Sequence, residues 1–531
     1  MTRRPILANS LGLLAGLVLA LGGPLPLAAQ EAPHSPSAAQ RPPEGRKLPP
    51  DAVTDQSVTL PDGSILAFKA TAGSLPLVDE SGKLQAEIAF VAYTKAPAQG
   101  EAERPITFAL NGGPGAASAY LNIGAIGPWR LPTDGPSISP SQSVALVPND
   151  GTWLDFTDLV FIDPVGSGYS RAADGDAKKY WSVDADAGVL AAAIARYLRV
   201  NERMGAPKFY IGESYGGFRG PLIAEKLQEE IGVGLSGMVL LSPVLDFAWL
   251  QPPRLNPWGH VTRLPSFAAA GLERAGTVPT RELLADTERY ATGDYLADLL
   301  KGPSDMAAVS RLTERVAALS GLDPALVREQ AGRLATHSVQ RALDRANGRI
   351  ASAYDTGVSG WDPDPTAVMP SFEDPLLTAL QAPLTSAMIE LYAKRLNWRV
   401  PNLRYELLNS AVNRGWSWGA GRNAPEVASN LRGVLALDGN LRVLVAHGFT
   451  DLVTPYFASK LILDQMPSLG GGGRLTLSVY PGGHMFYARP ESRAAFKRDA
   501  RALFSAALAA RGAPPAASSA PAAVQTPKGT P

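Results

Sequence analysis

The chain has 531 residues, is 45% hydrophobic and 18% charged, and balances 49 Lys+Arg against 49 Asp+Glu for a formal net charge of zero. Such a length suits several ordinary domains or one large domain with an insertion, and a neutral chain without a long basic run gives no electrostatic basis for a nucleic-acid partner. Cysteine is absent, which excludes disulfides, thiolate chemistry and a lipid anchor attached at cysteine.

Residues 1–29 read as a signal peptide. Arg3-Arg4 is a positive start, LGLLAGLVLALGG a short apolar run, and Ala28-Ala29 a small-residue cleavage site. The run is shorter than the roughly 20 residues a bilayer-spanning helix needs, so no stable membrane anchor is expected. The expectation is an exported protein, periplasmic or secreted, with the export route open between the general and twin-arginine pathways. Residues 30–52, rich in proline, alanine and charge, read as a disordered lead-in, and 512–531 as a disordered tail.

Folded structure is expected to open with SVTLPDGSILAFKATAG and LQAEIAFVAYTKA, whose alternation predicts antiparallel strands. Short apolar runs follow at 105–110, 158–163, 208–212, 237–242, 441–446 and 475–480, each resembling a strand buried on both faces. A helical pattern at 184–204 precedes the run at 208–212. Strands alternating with helices predict an α/β fold with a mostly parallel sheet flanked by helices. Residues 247–430 break that rhythm with patterns such as PTRELLADTERYA, GDYLADLL and DPALVREQAGRLATH. They read as a largely helical cap inserted between an N-terminal core segment (53–246) and a C-terminal core segment (431–511).

Two stretches match G-x-S-x-G, the strand-to-helix turn that exposes a nucleophilic serine. Gly212-Glu213-Ser214-Tyr215-Gly216 follows a strand pattern and precedes RGPLIAEKLQEE, a plausible helix. Gly415-Trp416-Ser417-Trp418-Gly419 has neither neighbour, so Ser214 is the expected nucleophile and the paired tryptophans read as core or cap surface.

A serine hydroxyl needs a histidine to take its proton and a carboxylate to orient that histidine. Of the five histidines, His34 lies in the lead-in and His260 and His337 in the insertion. His484 follows the final strand pattern, where a hydrolase of this kind carries its base, and is preferred to His447. Asp451 follows the preceding strand and completes the order Ser, Asp, His. The glycine-rich Asn111-Gly112-Gly113-Pro114-Gly115 after an early strand can aim a backbone N–H at a substrate carbonyl. No phosphate-loop or H-E-x-x-H pattern occurs, and neither a metal nor an organic cofactor is expected.

With these residues in place the chain resembles the serine carboxypeptidases, the S10 peptidases of the α/β-hydrolase superfamily, as a bacterial member. NGGPGAAS, WLDFTDLVFIDPVGSGYS, GESYGG, GFTDLVTP and GGHMFY carry the resemblance in the family's order. It implies the triad Ser214, Asp451 and His484, oxyanion donors at the N–H groups of Gly113 and Tyr215, and Asn111 and Glu213 as binders of the substrate's C-terminal carboxylate. Asp163, Pro164, Gly166 and Gly168 match a block taken as structural. Leu110 replaces the usual aromatic residue, Ala116 a cysteine of eukaryotic members, and Ala125 the family's second glutamate, which helps hold a proton near the first.

The resemblance implies release of C-terminal amino acids from peptides through an acyl-enzyme on Ser214. The alternatives are an esterase, amidase or acyltransferase using the same triad, and a non-catalytic binding protein. Preferred C-terminal residues and oligomeric state are open.

Overall fold

The computed structural model describes residues 45–512 apart from 97–102, 134–137, 142–144, 252–254, 368–370 and 470–472. The expected signal peptide, the lead-in as far as residue 44 and the tail from 513 lie outside the described residues.

Strands β1 (Ala52–Thr59), β2 (Ile65–Val78), β3 (Leu84–Thr94), β4 (Ile106–Leu110), β5 (Asp158–Ile162), β6 (Lys208–Glu213), β7 (Gly237–Leu241), β8 (Arg442–Gly448) and β9 (Leu475–Tyr480) form the main sheet. Their order is β1-β2-β3-β5-β4-β6-β7-β8-β9, with the short strand Arg171–Ala172 pairing β3 off that path. β1, β2, β3 and β5 pair antiparallel. From β5 onward every pairing is parallel. The mostly parallel sheet expected from the apolar runs is present.

Burial follows position. All residues of β4, β5, β6 and β7 are buried, as two-sided cover of a parallel sheet requires. Ala109 and Ile211 enter one apolar cluster, while Phe108, Leu110 and Tyr210 enter the other. β9 departs from the expected two-sided burial, because it is the edge strand with β8 as its neighbour; only Tyr480 in it is fully buried.

The start of the fold also differs from expectation. Residues 46–51, assigned to a disordered lead-in, are tied down. Buried Glu87 accepts bonds from Arg46 Nε (3.3 Å), Lys47 N (2.6 Å) and Leu48 N (3.3 Å), and Leu48 is itself buried. A buried carboxylate needs such donors, and this segment supplies them.

Helix α1 (Val183–Val200) precedes β6, and α2 (Tyr215–Lys226) leaves it directly after Ser214, earlier than the RGPLIAEKLQEE pattern suggested. The insertion carries several helices, among them Leu264–Arg274, Arg281–Tyr290 and Met306–Ser320, plus a hairpin of Arg349–Ala351 with Ser359–Trp361. DPALVREQAGRLATH is not one helix: it stops at Glu329, turns through Ala331 (φ 49°) and Gly332 (φ 73°), and resumes at Thr336. Left-handed backbone ends a helix. A third apolar cluster joins Val261, Leu264, Phe267, Leu312 and Val316 of the insertion to Phe449, Leu452, Tyr456 and Phe457 just after β8. The insertion is therefore packed against the loop that carries Asp451.

Candidate active site

The β6–α2 corner is built by missing side chains. A Cβ on Gly212 would lie 2.1 Å from the Gly216 carbonyl oxygen, and one on Gly216 would lie 2.3 Å from that of Leu110. Between them Ser214 holds φ 61° and ψ −121°, a strained conformation for a residue with a side chain. Neighbouring Glu213 and Tyr215 are buried, whereas Ser214 is partly exposed. Among the described residues Ser214 Oγ has no hydrogen-bond partner.

Asp451 and His484 meet at the next strand ends. His484 Nδ1 lies 2.7 Å from Asp451 Oδ2, and Asp451 is fully buried. Its Oδ1 accepts the N–H groups of Val453 (2.8 Å) and Thr454 (2.9 Å), and its Oδ2 accepts the Thr454 hydroxyl (2.7 Å). These donors fix the orientation of the carboxyl. Burial opposes a charge on His484, but the facing Asp451 carboxylate outweighs it, and the imidazole's pKa is raised overall. Ser242, the residue after β7, donates its hydroxyl to the His484 carbonyl at 2.9 Å. The Ser214 N–H bonds to Leu241 of the same strand end at 2.9 Å, so β7 links the serine corner to the histidine loop.

The Asn111–Gly115 loop lies beside the start of α2. A Cβ on Gly112 would come within 2.4 Å of the Tyr215 nitrogen. Tyr215 is the first residue of α2, where backbone N–H groups lack intrahelical acceptors. Gly113 has φ 98°, open to glycine. Behind the loop, the Ser118 N–H donates to Asp163 Oδ1 at 2.8 Å, burial pushes the Asp163 pKa up to about 6, and a Cβ on Gly168 would overlap the Asp163 carboxyl. The Asp163–Gly168 block is a structural joint.

Glu213 is buried and burial pushes its pKa up to about 7, against the lowering effects of His484, Tyr487 and Asn111. Asn111 Nδ2 donates to Glu213 Oε2 at 2.6 Å, while Asn111 Oδ1 accepts the Leu121 N–H at 2.9 Å. The amide is thereby oriented with its nitrogen toward the acid.

The other candidates go elsewhere. His447 falls inside β8 rather than after it, fully buried, with Nε2 2.8 Å from Ser459 Oγ; burial pushes its pKa down to about 4. Ser417 bonds through its backbone to Trp181 and Val183. Trp416 and Trp418 stand edge-on to the Tyr215 ring at 5.2 and 5.5 Å, so the second G-x-S-x-G is packing behind the serine corner. His337 stacks on Phe372 within the insertion.

Four residues around the site were not singled out in the sequence. They are Thr454 on Asp451, Tyr354 on His484, Tyr487 on Glu213, and Arg219. Fully buried Arg219 bonds the Asn111 carbonyl and Asp186 Oδ2, each at 2.5 Å. Thr454 and Tyr487 fall inside quoted motifs and Arg219 lies two residues beyond GESYGG; only Tyr354 arrives from distant chain.

Residues 65–251 match the serine carboxypeptidase family, peptidase S10. The match spans well under half of the chain. The sheet with its helical insertion is the α/β-hydrolase fold. Among similar curated proteins, the pheromone-processing carboxypeptidase KEX1 of Yarrowia lipolytica is 30% identical over 154 residues, 28% of this chain and 22% of that protein. Serine carboxypeptidase-like 51 of Arabidopsis thaliana is 29% identical over 169 residues, 30% of this chain and 34% of that protein. The chain thus spans about a third or less of the length of these two relatives. The crystal structure of the Saccharomyces cerevisiae prohormone-processing carboxypeptidase superposes with a TM-score of 0.53 at 16% identity, covering 82% of this chain and 91% of that one. That likeness concerns the fold.

Proposed function

We propose that this protein is a serine carboxypeptidase of the S10 family, acting on peptides with a free C-terminus. The observation that carries the reading is the buried Asn111–Glu213 pair placed immediately before Ser214. A carboxyl held near neutrality by burial donates a hydrogen bond when protonated, and an oriented amide beside it supplies a second donor. Two such donors next to a nucleophile suit a substrate whose own carboxylate lies one residue beyond the bond to be cut.

In this mechanism Ser214 Oγ attacks the last peptide carbonyl as His484 Nε2 takes its proton, with Asp451 stabilising the imidazolium. The N–H groups of Gly113 and Tyr215 receive the oxyanion. Collapse of the tetrahedral intermediate passes the proton to the leaving nitrogen and frees the C-terminal amino acid. Water then attacks the Ser214 ester, giving a proton to His484 and releasing the shortened peptide as Ser214 regains its hydrogen. His484 must be neutral and Glu213 protonated for turnover, so kcat/KM for peptides is bell-shaped with its alkaline limb near the Glu213 value.

The alternative, an esterase, amidase or acyltransferase on the same triad, draws on Ala125 in place of a second acid. Blocked dipeptides and their C-terminal amides separate the readings. Preferential cleavage of the free acids, abolished in Ser214→Ala, supports the carboxypeptidase; equal cleavage of acid and amide sinks it. The signal-like N-terminus supports export to the periplasm or medium of a bacterial cell, which fractionation of the expressed full chain tests. Among the described residues no helix is long and apolar enough to cross a membrane.

A further inference from the structure

The π-helical segment Tyr120–Ile126 is tied to the Asn111–Glu213 pair through the Leu121 N–H on Asn111 Oδ1 and carries no acid: Ala125 is buried there as part of the apolar core. The side chain that reaches Glu213 comes instead from the loop after β9. Tyr487, in the short turn Phe486–Ala488 beyond His484, is buried and donates its hydroxyl to Glu213 Oε1 (3.0 Å) and Oε2 (3.1 Å). Its ring lies against Gly124, where a Cβ would stand 3.4 Å from Tyr487 Cε2 and 3.9 Å from the hydroxyl oxygen. A larger residue at 124 would crowd the ring away from Glu213.

We propose that Tyr487 is a positioning residue of the carboxylate-reading site, whose hydroxyl holds the Glu213 carboxyl and sets the pH range over which it receives a peptide C-terminus. This rests on the carboxypeptidase reading above. One hydroxyl shared between both carboxyl oxygens fixes the plane of the acid, and Asn111 fixes its Oε2 end. A tyrosine at this position brings no second carboxyl to share a proton with Glu213. The other groups facing it are His484 on the same loop, which favours its charge, and Asp451 on the loop after β8, which disfavours it. Two further hydroxyls come from Tyr120, buried without a partner among the described residues, and Tyr354 of the insertion.

The hydrogen bond from Tyr487 favours ionised Glu213. Removing it therefore keeps Glu213 protonated to higher pH while leaving the acid less well held. Tyr487→Phe is expected to move the alkaline limb of peptide kcat/KM upward by half a pH unit or more and to raise peptide KM severalfold across the profile. In a Glu213→Gln background the Phe substitution should no longer move the limb. The carboxyl stretch of protonated Glu213, assigned by its loss in Glu213→Gln, reports the titration by infrared without any substrate. It should persist to higher pH in Tyr487→Phe than in wild type. An unmoved infrared titration, or a limb shift that survives in the Glu213→Gln background, overturns the proposal. A wild-type enzyme with no carboxypeptidase activity would count against the proposed function alone, because the infrared comparison needs no turnover.

Discussion

The backbone carbonyl of Tyr354, in the insertion, accepts the backbone N–H of His484 at 2.5 Å, and the Tyr354 ring stands edge-on to the imidazole at 5.3 Å and 86°. The insertion is thus built into the site rather than a cover beside it. The turn between its two hairpin strands also bonds the Asp451 loop, with Leu452 N–H to Ala353 O at 2.9 Å. Arg489 ties Asp355 and Glu273 of the insertion to the histidine loop at 2.7 and 2.6 Å. Gly483 is required at this junction, because a Cβ there would overlap the Tyr354 carbonyl.

Removing the Tyr354 ring leaves the backbone bond but frees the imidazole to tilt. Tyr354→Ala is expected to lower kcat roughly tenfold, since small misplacements of a catalytic group are costly, with a smaller change in KM. Steady-state kinetics on one peptide decide it: an unchanged kcat would show that the backbone bond alone suffices.

Gly216→Ala puts a methyl group 2.3 Å from the Leu110 carbonyl oxygen. The corner must open, carrying the Tyr215 N–H away from the proposed oxyanion position, and kcat should fall roughly a hundredfold. The comparison is Gly232→Ala, where φ is 77° but nothing lies within 4 Å of the new methyl. That change should cost about 1 kcal/mol of stability and leave Ser214 labelling by a fluorophosphonate intact. Equal labelling of the two variants would refute the crowding argument.

Arg219 couples α2 to the Asn111 carbonyl while neutralising buried Asp186 on α1. Arg219→Met strands Asp186, at a cost of about 3–5 kcal/mol for a broken buried pair. Adding Asp186→Leu should recover much of that stability without restoring the bond to Asn111. Thermal melts should therefore recover in the double variant while kcat stays low; parallel recovery of kcat would show that Arg219 serves stability alone.

The Glu213 pKa is raised on folding, so folding favours its protonated form. Its contribution is fully present below the unfolded value and is lost as pH rises through about 7. Wild-type stability should decline across that window, by on the order of 3 kcal/mol from this group. Glu213→Gln, which does not titrate, should show a flatter melting-temperature profile between pH 4 and 8. Identical profiles for the two proteins would exclude Glu213 as the source of the decline.

Much of the fold was legible because its signals are local. The apolar runs that became β4 to β8 are short, continuous and bounded by turns, and a buried parallel strand needs little else. The serine corner was legible for a related reason: Gly212 and Gly216 are demanded by backbone contacts within the corner and with β4, so the spacing survives in the chain. Where a signal depended on distant partners the reading slipped. The 46–51 segment looked disordered because its order comes from Glu87, and 323–337 looked like one helix because its interruption lies in two left-handed residues.

By itself the sequence determined the strand alternation, the corner that exposes Ser214, and the chain order of Ser214, Asp451 and His484, since each is set by backbone geometry over a few residues. Only the tertiary structure decided what surrounds them. Tyr354, Arg219 and Tyr487 lie 130, 265 and 3 residues from His484, yet each acts by a contact of a few ångströms with His484, Asn111 or Glu213. Hydrogen bonds and burial depend on distance in space, and nothing in the spacing of these residues along the chain encodes it.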